Sequence, residues 1–456
     1  MQPDRAYFAG LHSALESLYN SIESPLSIVN YPLSIDNSMP PFDDSFYDAV
    51  INELYGNGGY SPDYLTTPNG SALIGETNRV LMDAVTKGVS SITEEPDPAF
   101  SAALAQNTFI FSGFKTHQEL QEANSLLRDK DGNLRPFDEF KRDVDKLGKE
   151  YNHNYLRAEY NHAVQSAQMA AKWQEFQKHK DFVNLQYRTA GDQRVRAEHA
   201  ILHGTTLPVD HKFWSKYIPP LGWNCRCTVV EVLKDSYPES DSEEASRAGD
   251  SATSKPAEKI FRFNPGKDLK VFPPKHPYLP KGCGDCKYKR CINLVFDNEK
   301  DICKACRNTD KAIVKWSRER VREHFHNILG NGKKQIIIHN GEVPHISISN
   351  SNIKVLSGKA HKYPYARNMV IFYLDRLIND LSQTEYIGSS SVIKGVDVKG
   401  HTYNTKWYYY RLKFLGSFSY IIIKEFKGEY IVHHIQDSEH FDESKIKNKV
   451  STQSSD

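Results

Sequence analysis

The sequence predicts a multidomain α+β protein. It reads as a helical N-terminal half holding a small α/β module, then a small four-cysteine zinc module, then a C-terminal helix followed by an antiparallel meander. Three observations carry this expectation. The chain has 456 residues, more than one hydrophobic core usually organises. Val144, Leu147, Tyr151, Tyr155 and Ala158 recur at spacings of three and four, the period of an amphipathic helix. Lys406 to Leu415, Tyr420 to Phe426 and Tyr430 to Ile435 are strand-like runs, with Gly416-Ser417 and Gly428 at the turns between them.

The bulk numbers narrow the class. A formal charge of +1 and a mean hydropathy of −0.60 describe a polar chain without a strongly charged field. No run approaches the roughly 18 apolar residues that span a bilayer, so no membrane partner is expected. The opening MQPDRAYFAGLHSALESLY lacks a basic region followed by an apolar core, so no secretory signal is read. Cytoplasmic synthesis follows as the expectation, and there the seven cysteines are thiols or metal ligands rather than disulfides. The chain has no G-x-x-x-x-G-K-[ST] phosphate loop, which excludes a P-loop motor ATPase.

Six segments follow in order. Residues 1–135 read as helices cut short by Pro32, Pro40-Pro41, Pro62, Pro68, Pro96 and Pro98. Residues 136–233 hold a long helix in which Ala163, Ala167, Ala170 and Ala171 permit close packing, followed by Val183, Leu185 and Tyr187 alternating with polar residues as a half-buried strand does. Residues 234–260 are Ser-, Glu- and Ala-rich, nearly devoid of bulky apolar groups, and read as a disordered linker. A cysteine module over 261–310, a basic helical connector over 311–335 and a β-rich domain over 336–456 complete the chain.

The densest stretch is Tyr187 to Val230, YRTAGDQRVRAEHAILHGTTLPVDHKFWSKYIPPLGWNCRCTVV. Arg194, His199, Asp210, Trp214, Cys225 and Cys227 stand out, with Pro208, Phe213, Pro219-Pro220 and Trp223 between them. Together with the alanine-rich helix before it, this run resembles the signature of the phage Mu F-like head morphogenesis family, the minor capsid proteins of tailed phages. The resemblance covers roughly Phe137 to Val232. It implies a virion component built into heads beside the portal, with portal and capsid proteins as partners and the bacterial host cytoplasm as the place of assembly. In a strand Cys225 and Cys227 point to one face, and His199 and His203 are one helical turn apart, so two thiolates and two imidazoles could hold zinc. Buried thiols with structural histidines are the alternative. Trp214 and Trp223 read as core residues rather than stacking platforms.

Two C-x-x-C hooks, Cys283/Cys286 and Cys303/Cys306, have sixteen residues between them, within the range of a four-cysteine zinc site. Cys291 is a spare ligand. Four thiolates would leave no open position for water, so the expected Zn2+ is structural. Lys287, Lys289 and Arg290 are either nucleic-acid contacts or solvated charges.

From Arg307 onward there are about eight more Lys and Arg than Asp and Glu, and the region is rich in Tyr and His. Such a surface suits a phosphate backbone with stacked bases. A helix is expected over Asn368 to Leu381, and a short strand over Gln335 to Ile338. The order of helix and sheet, and the segment GKAHKYPYARN before the helix, resemble the phage barnase–EndoU–colicin–RelE-like nucleases. That resemblance implies metal-independent cleavage of RNA, tRNA included, by a toxin-like domain. DNA binding without catalysis, or a purely structural capsid role, are the alternative readings. Cleavage needs a base, an acid and cations on the phosphorane. The candidates are His361, His434 and His433 for proton transfer, Arg411 and Lys424 for phosphate, and Lys359 as a further catalytic residue. Arg411 and Lys413 are expected on the open sheet face, and His433 is expected to point inward with Ile431 and Ile435.

Overall fold

A computed structural model describes residues 38–279, 299–330, 332–359, 361–396, 402–446 and 448–449. It is α+β, with a helical N-terminal half and antiparallel sheets. The described chain forms two compact units. The first runs to Pro96 and from Ala103 to Thr309; the second holds Asp97–Ala102 and the residues from Asp310 onward.

The first unit is built on α1 (Ser45–Gly56), α2 (Pro68–Ser90), α3 (Pro98–Ser125), α4 (Phe137–Lys149) and α5 (Leu156–His179). Pro68 fits the first turn of α2, where no backbone donor is needed, and the Thr67 hydroxyl caps it by accepting from the Gly70 N–H at 3.1 Å. The small residues do what their size suggests. A Cβ at Gly88 would lie 2.3 Å from the Val164 carbonyl oxygen, so α2 and α5 touch backbone to backbone. Ala163, Ala167, Ala170 and Ala171 are all buried. Described residues 38–135 therefore do not form a domain apart from the helix that follows: α2 and α5 share one core.

The expected apolar stripe breaks at one place. Glu150–Tyr155 is a π-helical turn between α4 and α5. Its wider turn inserts a residue and rotates the stripe, so Leu156 is buried while Tyr155 is 46 % exposed. Within the widened turn the Tyr151 carbonyl accepts from the Leu156 N–H, and it also accepts from the buried Lys115 ammonium at 2.7 Å. Lys115 also pairs with Glu159 at 2.7 Å, and nearby Glu119 accepts from the Asn152 amide at 2.7 Å.

Strands β1 (Val183–Arg188), β2 (Thr206–Pro208) and β3 (Thr228–Leu233) form an antiparallel sheet in the order β2-β1-β3. Strand β1 is buried on both faces, not on one as its alternation suggested. Asn184 and Gln186 are buried too, and their amide N–H groups donate to Glu239 at 3.0 Å and to Thr206 at 3.0 Å.

The segment read as a disordered linker contains helix α6 (Ser242–Ala252). The Asp241 carboxylate caps it, accepting from Glu243 and Glu244 N–H groups at 3.0 and 2.8 Å. Ala245, Ala248 and Ala252 pack on the same core as Trp214, and a Cβ at Gly249 would lie 2.6 Å from the Tyr217 ring. A face of small residues buries by fitting closely, which a search for bulky apolar groups overlooks. The next segment also belongs to the first unit rather than to a cysteine module: Phe272 stacks on Phe111 at 3.7 Å, and Gly266 lies against Trp173.

Three histidines in this unit are buried neutral. Burial pushes His162 and His276 down to about 3, and His117 down to about 4. Their folded values lie below the unfolded value of about 6.5, so unfolding takes up protons once the pH falls below that value. Stability is then fully present above about pH 6.5 and is lost as the pH falls toward 3. Each group adds up to about 1.4 kcal/mol per pH unit, so three together give a slope of about 4 kcal/mol per unit at its steepest. Urea titrations from pH 7.5 to 4.5 should show the first unit's midpoint falling. A flat profile with His162→Asn indistinguishable from the parent would contradict this account.

Helix α7 (Glu299–Leu329) starts before, and ends within, the helical connector read over 311–335. The second unit then continues through β4 (Lys333–Ile337), β5 (His345–Ser349), α8 (Asn350–Gly358), α9 (Pro364–Phe372), β6 (Thr384–Val396), β7 (Thr402–Phe414), β8 (Ser417–Phe426), β9 (Glu429–Asp437) and β10 (Asn448–Lys449). The main sheet has the order β10-β6-β7-β8-β9, all antiparallel. The meander turns are two-residue loops with positive φ at both positions: Leu415 and Gly416 at 48° and 75°, Lys427 and Gly428 at 52° and 77°. That is the geometry whose twist matches a hairpin. The expected helix from Asn368 to Leu381 instead starts earlier, at Pro364, and breaks at Tyr373, whose φ of −104° and ψ of 20° leave the helical region.

Candidate functional site

In the first unit, β1 and β3 lie side by side, and the chain reaches β3 through Cys225-Arg226-Cys227. His199 comes from a single helical turn, Ala197–Ala200. Arg196 fixes that turn by donating to the Trp223 carbonyl at 2.5 Å, and Arg226 grips Asp192 through two hydrogen bonds, one of them 2.6 Å. As a result His199 Nδ1 lies 3.6 Å from Cys225 Sγ and 3.8 Å from Cys227 Sγ. All three residues are buried, and one ligand atom from each lies within 4.8 Å of the others. The thiols share their charge unequally. The contact from Cys227 holds Cys225 well below the usual thiol range, helped by His199, while the same contact and burial push Cys227 up. The Tyr187 side chain is fully buried, with its hydroxyl toward Cys227.

His203 does not join them: its Nδ1 accepts from the Thr189 N–H at 3.2 Å and faces the Thr189 hydroxyl at 3.0 Å. A site of two thiols and two imidazoles is therefore replaced by one of two thiols and one imidazole. Trp214 is fully buried and donates its Nε1–H to the Pro208 carbonyl at 3.0 Å, a core role as expected. Arg194 and Asp210 lie on the surface, their side chains 80 % and 67 % exposed. No site role was given from sequence to Tyr187 or to the Asp192–Arg226 pair. The alternation of Tyr187 with polar residues gave its direction, but nothing local gave its neighbours.

Of the paired hooks, Cys283 and Cys286, with Cys291, lie outside the described residues. Cys303 and Cys306 fall within α7, and Cys306 is buried.

In the second unit the sheet edge gathers Lys359, His361, His433 and His434. The device is a β-bulge. Ile422 pairs with His434 but Ile423 pairs with Val432, so His433 is the extra residue. Val432 and Ile435 stay buried, and His433 turns outward, correcting the expectation that it points inward. Its ring meets Trp407 edge-on at 4.8 Å, and the Lys424 ammonium lies 5.8 Å from the same indole. Lys359 donates to the His433 carbonyl. His361 is buried: its Nδ1 accepts from the Tyr363 N–H at 2.9 Å, and Asp437 lies 3.8 Å away. Burial raises the Asp437 carboxyl, but hydrogen bonds from the Lys362 N–H and from His440 outweigh it and hold the group as a carboxylate.

Burial pushes His361 to about 4 and, with Lys359 and Lys424 adding to the effect, His433 to about 4. His434 is lowered as well, by burial first. The near-neutral values expected for these histidines are thus corrected downward, and all three are uncharged at pH 7. Arg411 is not brought to them: it pairs with Glu385 at 2.6 Å and Glu443 at 3.7 Å. Arg411 and Lys413 do lie on the more open face, with Leu412 and Phe414 buried. Arg367 was not singled out. Its buried guanidinium holds the Ser357 carbonyl at 2.6 Å and the Lys359 carbonyl, which fixes the approach to His361.

The helix-then-sheet module around His199, Cys225 and Cys227 is of a recognised class: residues 135–230 match the family model described as Phage Mu protein F like protein. Among curated proteins, the chain is similar to "Putative capsid assembly protein F" of Escherichia phage Mu, with 38% identity over 71 residues, which is 15% of this chain and 16% of that protein. It is also similar to the Mu-like prophage FluMu F protein of Haemophilus influenzae, with 41% identity over 49 residues, 11% of this chain and 12% of that protein. The chain thus aligns with less than a fifth of the length of either relative. No solved structure matches the chain. No described helix is long and apolar enough to cross a membrane.

Proposed function

We propose that this chain is a phage head assembly protein that enters heads through its first unit, with portal and capsid proteins as partners. The observation that carries the reading is the Mu F-like match over residues 135–230, which falls on a module whose core holds the quoted motif residues Trp214, Cys225 and Cys227. Chemical cross-linking of purified heads, read by mass spectrometry, tests it. Cross-links should join the 135–230 region to portal or capsid protein. Heads that contain the chain but link to it only through residues after 330 would overturn the assignment.

A second reading concerns the other unit, and the bulge at His433 favours it. An edge strand that turns a neutral histidine outward beside an indole and two lysines offers a base, a stacking surface and cations on one face. In this reading the second unit is a metal-independent ribonuclease of the toxin-like kind. His433 takes the 2′-hydroxyl proton of RNA. The 2′-oxygen attacks phosphorus and forms a 2′,3′-cyclic phosphate. The 5′-oxygen leaves with a proton from Lys359, whose ammonium is made more acidic by burial. Lys424 holds phosphate. His361 and His434 support the edge, and Arg411 serves the fold through its carboxylate pairs. A structural zinc held by Cys283, Cys286, Cys303 and Cys306 remains part of the proposal.

A further inference from the structure

We propose that His199, Cys225 and Cys227 form a three-ligand site for one zinc-class divalent ion, separate from the paired C-x-x-C hooks. Three features of the first unit support it.

The first is distance. Zinc–sulfur bonds of about 2.3 Å and zinc–nitrogen bonds of about 2.0–2.1 Å at tetrahedral angles separate sulfur from nitrogen by about 3.6 Å. His199 Nδ1 lies 3.6 and 3.8 Å from the two sulfurs. The second is hydrogen-bond arithmetic. One ring nitrogen carries at most one proton and can serve only one thiol fully, yet both sulfurs converge on it. A divalent ion at the centre satisfies all three atoms at once. Two thiolates and an imidazole are the donor set that zinc, rather than calcium or magnesium, selects. His199, Cys225 and Cys227 are all buried, and the fully buried Tyr187 has its hydroxyl toward Cys227, so the site is shielded from water rather than open and catalytic.

The third is placement. Between β1 and β3 the chain holds only a three-residue strand and two four-residue helical turns. Such a stretch is weakly held by its own backbone. The His199–Cys225 contact spans 26 positions of it and the His199–Cys227 contact 28. A metal cross-link there restricts the unfolded chain and pins the approach to β3. The ion would be structural, and its removal would loosen the Mu F-like motif itself.

The test uses the full chain with Cys283, Cys286, Cys291 and Cys303 changed to Ser, purified with zinc as the sole added metal. Elemental analysis should find about one zinc per chain. Adding Cys225→Ser, Cys227→Ser or His199→Ala should lower that to near zero. Cobalt in place of zinc should show a thiolate charge-transfer band in the four-serine chain that is lost in each of these three variants. A four-serine chain that folds and holds no zinc overturns the proposal. If the four-serine chain does not fold, the wild-type chain decides. Alkylation followed by peptide mass spectrometry should label Cys225 and Cys227 at least tenfold faster after chelation. Labelling unchanged by the chelator overturns the site, because burial alone protects equally in both states.

Discussion

Lys115→Ala should lower the stability of the first unit by about 3–5 kcal/mol, the range for stranding one partner of a buried ion pair. The Lys115 side chain is 1 % exposed and the Glu159 side chain 4 %, so water cannot replace the lost cation. Two carboxyls depend on it. Burial pushes Glu119 up to about 8 and raises Glu159 as well, with the Lys115 charge opposing the shift in both. The Tyr151 carbonyl loses one of its two donors, keeping only the Leu156 N–H. The double variant Lys115→Met/Glu159→Met should lose much less than the two singles together, since it leaves neither charge stranded. Urea unfolding of the full chain, following the first unit's transition, measures both. A single-variant loss below about 1 kcal/mol would show that the pair is solvated in solution.

The other large effect belongs to the second unit. If it cleaves RNA, His433→Ala should slow cleavage by about 10²–10⁴-fold, the usual contribution of a general base, with the fold intact because the side chain faces outward. Lys359→Ala should slow it by a similar order, while Arg411→Ala should act mainly on stability. Because His433 sits near 4, the base should stay competent from about pH 5 upward and be lost only as pH falls through about 4. A chelator should not stop the reaction. A folded chain that leaves total RNA and tRNA uncut from pH 5 to 8 would remove the nuclease reading and leave DNA binding or a capsid role for this unit.

What could be read from sequence divides along physical lines. The C-terminal hairpins were legible because alternation and Gly at two-residue turns are local signals. The Mu F-like run was legible because rare residues fall in a fixed order, and Trp214, Cys225 and Cys227 do share one core. Helix α6 was not, because its buried face is made of Ala and Gly and depends on the Tyr217 ring opposite. The exposure of Tyr155 was not, because a π-helical turn changes the period without a composition mark. The outward turn of His433 was not, because a bulge is a property of strand pairing: only the partner residues Ile422 and Ile423 reveal the extra position. Histidine charge was misjudged for the same reason, since burial comes from neighbours far apart in sequence.

The segment read over 136–233 does not close the first unit. A cut after residue 233 would remove α6 and the Phe261–Phe272 segment from the first unit's core. A chain ending after α7, near Gly330, keeps them. The most direct test is therefore the copy number of that truncated chain in purified heads, measured by quantitative mass spectrometry beside the full chain. Equal copy numbers are expected. A truncated chain that folds yet is absent from heads, while the full chain is present, would contradict the claim that the first unit carries assembly.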